Sequence, residues 1–259
     1  MRRTATTTLL LAALAWLPCS AGATDVTVKG AVGAPGARQL PQHARLSDAA
    51  LAAGTRADAY MLGAAWLRPS LLVEQQRLKA GLLFDLDTVR RQAIRQDRVE
   101  LAELSASLGA WLQTLPATGR QVALLDGRAV EVNPAENRPV ADGDTLYYPQ
   151  RPATIRVVGA VSQPCELPLV ALQDARQYLK ACPRSHGAEA DWIFVVQPDG
   201  RVFEQGVGLW NPSKPLPLAA GAVIYVPLSE SKVGGIAPNL NRELAAFLAT
   251  QPLAEPEMH

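Results

Sequence analysis

The chain has 259 residues, of which 48% are hydrophobic, and this is enough apolar material for two packed cores. Its 25 basic and 24 acidic residues leave a formal charge of +1, so bulk electrostatics gives no reason to expect a nucleic acid as partner. The three histidines and three cysteines form no metal-ligand pattern, and we predict neither a metal nor a cofactor.

The chain begins with the pattern of a secretory signal peptide. Two arginines precede an apolar run at 9–17, and an Ala-Gly-Ala sequence at 21–23 resembles a cleavage site. The apolar run is too short to span a bilayer comfortably. Lipidation of Cys19 is disfavoured because Pro18 stands where a small residue is needed. We predict a signal peptide over 1–23 and a mature chain without a transmembrane segment.

The mature sequence repeats four landmarks in the same order, which indicates a duplicated module. The paired stretches are VTVKGAVGAPG (26–36) with IRVVGAVSQPC (155–165), LSDAALAA (46–53) with LQDARQYL (172–179), VALLDGRAVEVNP (122–134) with IFVVQPDGRVFEQGVGLWNP (193–212), and DGDTLYYP (142–149) with AGAVIYVP (220–227).

Each copy has the pattern of strand, turn, strand, short helix, hairpin and strand. Asp126-Gly127 and Asp199-Gly200 are predicted to form the hairpin turns. This order predicts an α+β fold with two tandem β-grasp domains, each with one helix across a small mixed sheet. A β-sandwich fits less well because a helix interrupts the strands at the same place in both copies.

One insertion, at about 57–117, separates the two halves of the first copy. Residues 71–93 carry an apolar stripe at helical spacing, with Gln75 as a polar gap. Residues 97–100 resemble a capping box that opens a second helix, which Pro116 stops. We predict a helical hairpin, and because both stripes need burial we expect it to dock on the second copy.

The sequence near the end of the chain predicts a flexible linker, SKVGGIAP (231–238), and then a short amphipathic helix, NLNRELAAFLATQ (239–251). This helix is too short to cross a membrane, and with almost no Lys or Arg it is expected to pack on the body rather than on a membrane surface or partner. The predicted domains are 24–150 with the hairpin insert, 151–228, and a linker and helix at 229–259.

These features together resemble the GfcC family of periplasmic capsule-biosynthesis proteins. The resemblance is carried by the V-x-G-x-V-x-x-P openings of both copies, the strand endings at 142–149 and 220–227, the inserted hairpin and the terminal helix. It covers essentially the whole mature chain. The individual motifs are short, and the openings are also similar to the β-grasp modules of Wza-type polysaccharide export channels.

The resemblance implies a non-enzymatic protein in the periplasm that assists assembly or export of a capsular or extracellular polysaccharide. Its partners would be that polysaccharide, outer-membrane export proteins, or both. A structural subunit of an outer-membrane export channel and a polysaccharide-modifying enzyme are the alternatives.

The resemblance also implies a centrally placed arginine. The best match is Arg120 in TGRQVALL, where the hairpin rejoins the first copy, and Arg68 and Arg128 are the alternatives. A guanidinium has five donors in a fixed fork. Arg120 is therefore a candidate for joining the two domains or for binding glycan hydroxyls, and a solvated loop residue is the remaining interpretation.

Aromatic side chains are candidates for a sugar-binding platform. Trp210, in the turn-rich GLWNPSKP, is the candidate glycan contact. Trp192, Tyr147, Tyr148 and Tyr225 occupy strand positions, where core packing is expected.

Two groups of residues are weak candidates for catalysis. His186 lies in a turn-rich loop with no nucleophile elbow, so a surface position is expected. Asp142 and Asp144 could pair as in a glycosidase, but turn chemistry explains them, since the second copy has Ala220 and Ala222 there.

Cys165 and Cys182 are the cysteines left in the exported chain, where an oxidising compartment favours a disulfide. Cys165 opens the second strand of copy two, and Cys182 follows a helix predicted at about 171–181. A strand that runs out and a helix that returns bring these ends to the same sheet edge. Gly36 takes the first position in copy one, so the fold does not require the bridge.

Overall fold

The computed structural model describes residues 23–254. The predicted signal peptide, apart from Ala23, and the last five residues lie outside the described residues. Within the described part the fold is α+β with two five-stranded sheets, which confirms the predicted class. No helix between residues 23 and 254 is both long and apolar enough to cross a membrane.

The secondary structure follows the chain in two series. The strands are β1 (Thr24–Gly30), β2 (Gly36–Leu40), β3 (Ala65–Leu67), β4 (Arg120–Gln121), β5 (Thr145–Tyr148), β6 (Thr154–Gly159), β7 (Cys165–Pro168), β8 (Trp192–Val196), β9 (Val202–Gly206) and β10 (Val223–Val226). The helices are α1 (Leu46–Ala52), α2 (Leu72–Arg95), α3 (Val99–Thr114), α4 (Gly127–Glu131), α5 (Ala175–Ala181), α6 (Glu230–Val233) and α7 (Leu240–Ala249).

The two sheets have the same strand order, β2-β1-β5-β3-β4 in the first and β7-β6-β10-β8-β9 in the second. In each sheet the first and last strands of the copy are parallel neighbours, and the other neighbouring pairs are antiparallel. The opening glycines also match: Gly30 and Gly159 have φ angles of 87° and 100°. A Cβ there would meet the carbonyl oxygens of Tyr148 and Val226, so both positions require glycine for the same reason.

The first sheet buries the apolar face that its alternating sequence predicts. Val26, Val28, Leu146 and Tyr148 are buried with Leu46 of α1 in one core cluster. Trp66 of β3 belongs to the same cluster.

The hairpin of α2 and α3 packs on the second sheet, as its apolar stripes predicted. One core cluster joins residues of the hairpin, the second sheet, α5 and α7. Its members include Leu82, Leu86, Val89, Leu108, Leu112, Ile155, Val157, Tyr178, Ile193, Tyr225, Leu244 and Phe247. Docking thus gives the two helices the burial that neither could supply alone.

The terminal helix α7 packs on the body, as expected from its composition. Leu240, Leu244 and Phe247 are fully buried. Asn241 also binds the end of the second sheet, because its Oδ1 accepts from the Leu228 amide (3.0 Å) and its Nδ2 donates to the Leu228 carbonyl (2.8 Å).

The predicted hairpin turn at Asp126-Gly127 is wrong. Asp126 instead caps α4, since its Oδ1 accepts from the Ala129 amide at 3.0 Å. Gly127 lies tight against Leu51 of α1, where an added Cβ would meet the leucine side chain. Asp199-Gly200 does form the turn between β8 and β9, with Gly200 at a φ of 86°.

Two further local predictions are corrected. No capping box opens α3, because Asp97 has a φ of 54° and belongs to the turn, while Arg98 makes no side-chain cap. The Arg98 amide donates to the Ala93 carbonyl (2.9 Å), so the tight connection to α2 decides this geometry. The segment predicted as a flexible linker begins inside α6, whose Val233 is buried.

A disulfide joins Cys165, the first residue of β7, to Cys182, which follows α5. The helix is shorter than the predicted 171–181. It starts at Ala175 because Leu172 has a φ of 61° and Asp174 caps the first turn. The bridge therefore closes a local loop at one edge of the second sheet.

Candidate functional site

Arg120 lies at the start of β4 and is only 6% exposed. Its guanidinium donates to backbone carbonyls in three separate parts of the chain. The acceptors are Gln251 (Nη1, 3.1 Å), Ala249 (Nη1, 3.4 Å), Ala64 (Nη2, 3.4 Å) and Pro198 (Nη2). Arg120 thus connects the first sheet, the β8–β9 turn and the end of α7.

The environment of Arg120 is uncharged at hydrogen-bond distance. Burial lowers the pKa of Arg120 to about 10, and the nearby Asp199 carboxylate opposes this shift. The guanidinium therefore stays protonated at neutral pH, with carbonyl dipoles stabilising its charge. With these donors used inside the protein, Arg120 is placed to hold segments together.

Gln75 of α2 supports the same region, although the sequence pattern treated it as a polar gap. It is buried, and its Nε2 donates to the Arg120 carbonyl at 3.0 Å. Its Oε1 accepts from the amides of Gly119 (2.8 Å) and Thr118 (3.2 Å). A lone polar residue in an apolar stripe was the signal for this role, because buried polar groups need partners.

A second polar cluster surrounds Trp66. The buried indole Nε1 donates to Asp144 Oδ2 at 2.9 Å, and the Arg68 guanidinium stacks on the indole 4.3 Å from its centre. Arg68 Nε also lies 3.5 Å from Asp144 Oδ2. Asp144 accepts from the Ala141 amide (2.9 Å), which agrees with its assignment to turn chemistry. Arg68 is thus held by this cluster, and Arg128 is exposed on α4.

A cavity of about 370 Å³ lies where the two sheets, the end of α3 and the C-terminal segment meet. We call it the junction cavity. Most of its wall is apolar and includes Leu67, Leu115, Val158, Val223, Leu248 and Leu253. Trp111 and Tyr147 add aromatic surface, and the cations Lys29 and Arg156 line it from the first and second sheets.

The bonds of Arg120 fix part of this wall. Its acceptor Gln251 lines the cavity, as does Thr118. Thr118 Oγ1 donates to the Thr250 carbonyl at 2.6 Å, and Gln251 Nε2 donates to the Pro116 carbonyl at 3.0 Å. The C-terminal segment is therefore tied to the end of the hairpin, and the cavity depends on that joint.

A larger and more open cavity, of about 770 Å³, lies between the segment 122–138 and the turn at Asp199. Its arginines already have partners. Arg201 Nε lies 2.6 Å from an Asp199 oxygen, and Arg138 lies 3.7 Å from Glu136. The junction cavity has the free cations, since neither Lys29 nor Arg156 has a side-chain hydrogen bond or ion pair with another residue in the described part of the chain.

The predicted aromatic residues divide between core and surface. Tyr148 and Tyr225 are buried, as expected, and Tyr147 is buried at the cavity wall. Trp192 is 38% exposed, so core packing was the wrong prediction for it: β8 begins at this residue, before the sheet is covered. Trp210 is 72% exposed, in a loop away from the junction cavity.

His186 lies in an open surface cavity that Ser185 and Glu100 also line. Its side chain is 82% exposed, and Nδ1 lies 3.7 Å from an oxygen of Glu100, which is also exposed. His186 is thus on the surface, as predicted. Within residues 23–254 no three His, Cys, Asp or Glu side chains are grouped as metal ligands.

Comparison with known proteins bears on the second half of the chain most directly. Residues 163–252 match the family model described as "Capsule biosynthesis GfcC C-terminal". A protein of Escherichia coli (strain K12) named "Uncharacterized protein YjbG" is 28% identical over 183 residues, which cover 70% of this chain and 74% of that protein. The family-model match confirms the resemblance to the GfcC family over residues 163–252.

The part that matches the GfcC model runs from just before β7 to just after α7. It includes the disulfide, the exposed loop with Trp210, and the C-terminal wall of the junction cavity at Leu248 and Gln251. Arg120 and Gln75 lie outside the matched residues, and the fold brings them next to the matched segment.

Proposed function

We propose that this GfcC-family chain is a non-enzymatic periplasmic protein that assists assembly or export of a capsular or extracellular polysaccharide, and that it holds a saccharide segment in the junction cavity. The observation that carries this proposal is an apolar and aromatic cavity, walled by both sheets, whose cations Lys29 and Arg156 have no ion-pair partner among the described residues. Its volume lies in the range of small-ligand sites. The capsule-biosynthesis family match supports the polysaccharide class, and the disulfide supports an oxidising, extracytoplasmic compartment.

We further propose that each sheet and its helix form a β-grasp domain, over 24–150 and 151–228, with the linker and terminal helix at 229–259. The shared strand order, with a parallel pair between first and last strands, supports this assignment. The domains then meet at the junction cavity, and Arg120 joins them. Its carbonyl partners on both sides support a joining role over direct contact with a glycan.

The packing of α7 supports an assisting protein over a channel subunit. Its apolar face is used in the chain's own core, so it is not available to form a ring with other copies. The cavity lining supports a binding role over catalysis, because no Asp, Glu or His among the described residues lines it. Trp210 stays a prediction as a contact for the glycan.

A deletion strain tests the proposed function. We expect loss of the protein to lower cell-surface polysaccharide, and the wild-type gene to restore it. Trp111→Ala, which removes aromatic surface from the cavity, should restore little. Trp192→Ala is the matched control, since Trp192 does not line the cavity, and it should restore surface polysaccharide fully. Immunoblots must show equal protein amounts. Normal surface polysaccharide in the deletion strain would contradict the proposal.

A further inference from the structure

Each sheet contributes one cation to the junction cavity. Lys29 projects from β1 and Arg156 from β6, and both are exposed where they line the cavity. No residue within 23–254 forms an ion pair with either side chain, and no described Asp or Glu lines the cavity. Among the described residues no carboxylate compensates these two positive charges, which face a common space, and an anion between them would be favoured.

The rest of the wall restricts the kind of anion. A small inorganic anion keeps its hydration and gains little from a mostly apolar surface. The wall here presents Trp111, Leu115 and Pro116 from the hairpin, together with Val158 and Val223 from the second sheet. Such a surface suits a ligand with an apolar face as well as a negative charge, and the C–H face of a sugar ring can pack on an indole.

We propose that the junction cavity selects an acidic saccharide, in which Lys29 and Arg156 bind the carboxylate of a uronic acid while its ring packs on Trp111. This inference rests on the proposed function and names the ligand class of the same site. The Arg156 fork can bind a carboxylate through two parallel hydrogen bonds, whereas Lys29 supplies a point charge. A ligand held this way contacts both sheets at once and would stabilise their joint.

The test is a calorimetric titration of the purified mature chain with oligogalacturonate and with its carboxyl-reduced counterpart, which has the same linkages but no charge. We expect the acidic oligomer to bind at least about tenfold more tightly. Lys29→Gln and Arg156→Gln should each weaken its binding about fivefold, since both cations are exposed. The double variant should remove the preference. Raising the salt concentration should also reduce the preference for the acidic oligomer.

Arg242→Gln is the matched control, because Arg242 is a surface cation that does not line the cavity. It should bind both oligomers like the wild type. Equal binding of the acidic and reduced oligomers would overturn the acidic selectivity and leave the proposed function intact. Binding of neither oligomer would overturn this inference, while the deletion strain judges the proposed function separately.

The same titration tests two competing occupants of the junction cavity. Inorganic phosphate that binds as tightly as oligogalacturonate would show a simple anion site and overturn the saccharide proposal. The chain itself carries Glu255 and Glu257 within three residues of the cavity residue Ala254. Oligogalacturonate binding that appears only in a Glu255→Gln/Glu257→Gln variant would mean that the chain's own carboxylates take the site, which would also overturn the proposal.

Discussion

Replacing Arg120 should destabilise the joint between the two sheets. Two of its bonds are close, those to the carbonyls of Gln251 and Pro198, and two are longer at 3.4 Å. Each close charge-assisted bond contributes about 1.5–3 kcal/mol. The substitution also removes the cost of burying the guanidinium charge and its Nε, which has no acceptor among the described residues. This gain offsets part of the free energy lost with the bonds. We expect Arg120→Ala to lower the free energy of unfolding by about 2–4 kcal/mol.

Arg120→Lys should lose nearly as much. An ammonium group is a single point of donation and cannot reach Gln251 on one side and Pro198 on the other, yet it keeps the cost of burying a charge. Urea unfolding followed by tryptophan fluorescence measures the loss. Arg242→Lys is the control, and as a change at an exposed ion pair it should cost less than about 1 kcal/mol. An Arg120→Lys variant within about 0.5 kcal/mol of wild type would refute the forked-bond reasoning.

Three other predictions follow from buried groups. Gln75→Leu removes the partner of two amides and one carbonyl, so the free energy of unfolding measured with urea should fall by about 2–4 kcal/mol. The exposed neighbour Gln76 provides the control, and Gln76→Leu should be nearly neutral. Equal effects of the two substitutions would contradict the role of Gln75. The Cys165–Cys182 bridge, which spans 17 positions, should stabilise the protein by about 3 kcal/mol. Alkylation and mass spectrometry of non-reduced protein should find the linked peptides, and two alkylated cysteines would reject the bridge. Burial raises the pKa of Tyr148 and Tyr225, so above about pH 10 the unfolded chain loses protons that the folded chain keeps. Stability should therefore fall with rising pH, by up to about 1.4 kcal/mol per pH unit for each tyrosine, and a double Tyr→Phe variant should flatten this slope; an unchanged slope would contradict it.

The repeated strands could be predicted because their signals are local. Alternating apolar residues, and glycines at positions such as Gly30 and Gly159, act through the geometry of a few neighbouring residues. The dipeptide at Asp126-Gly127 shows the limit of such signals. An aspartate before a glycine can open a tight turn or cap a helix, and here packing against Leu51 decides for the helix.

The site was less predictable than the fold because it depends on where the hairpin docks. Arg120 was singled out by resemblance, but its acceptors are backbone carbonyls, which leave no mark in the side-chain sequence. Trp111 belongs to a helical stripe whose pattern indicates core packing, and Gln75 is a polar gap in the other stripe. Their roles arise only when the hairpin end, both sheets and the C-terminal segment are brought together.

The most direct test of the junction cavity as the saccharide site is a titration of the mature protein with polysaccharide from its own organism, followed by the indole N–H resonances in NMR spectra. Residues 24–259 contain four tryptophans, at 66, 111, 192 and 210, so each resonance can be assigned by single substitution. We predict that the Trp111 resonance shifts saturably while that of Trp192 does not move. A saturating titration that shifts Trp210 and leaves Trp111 unchanged would contradict the proposed site.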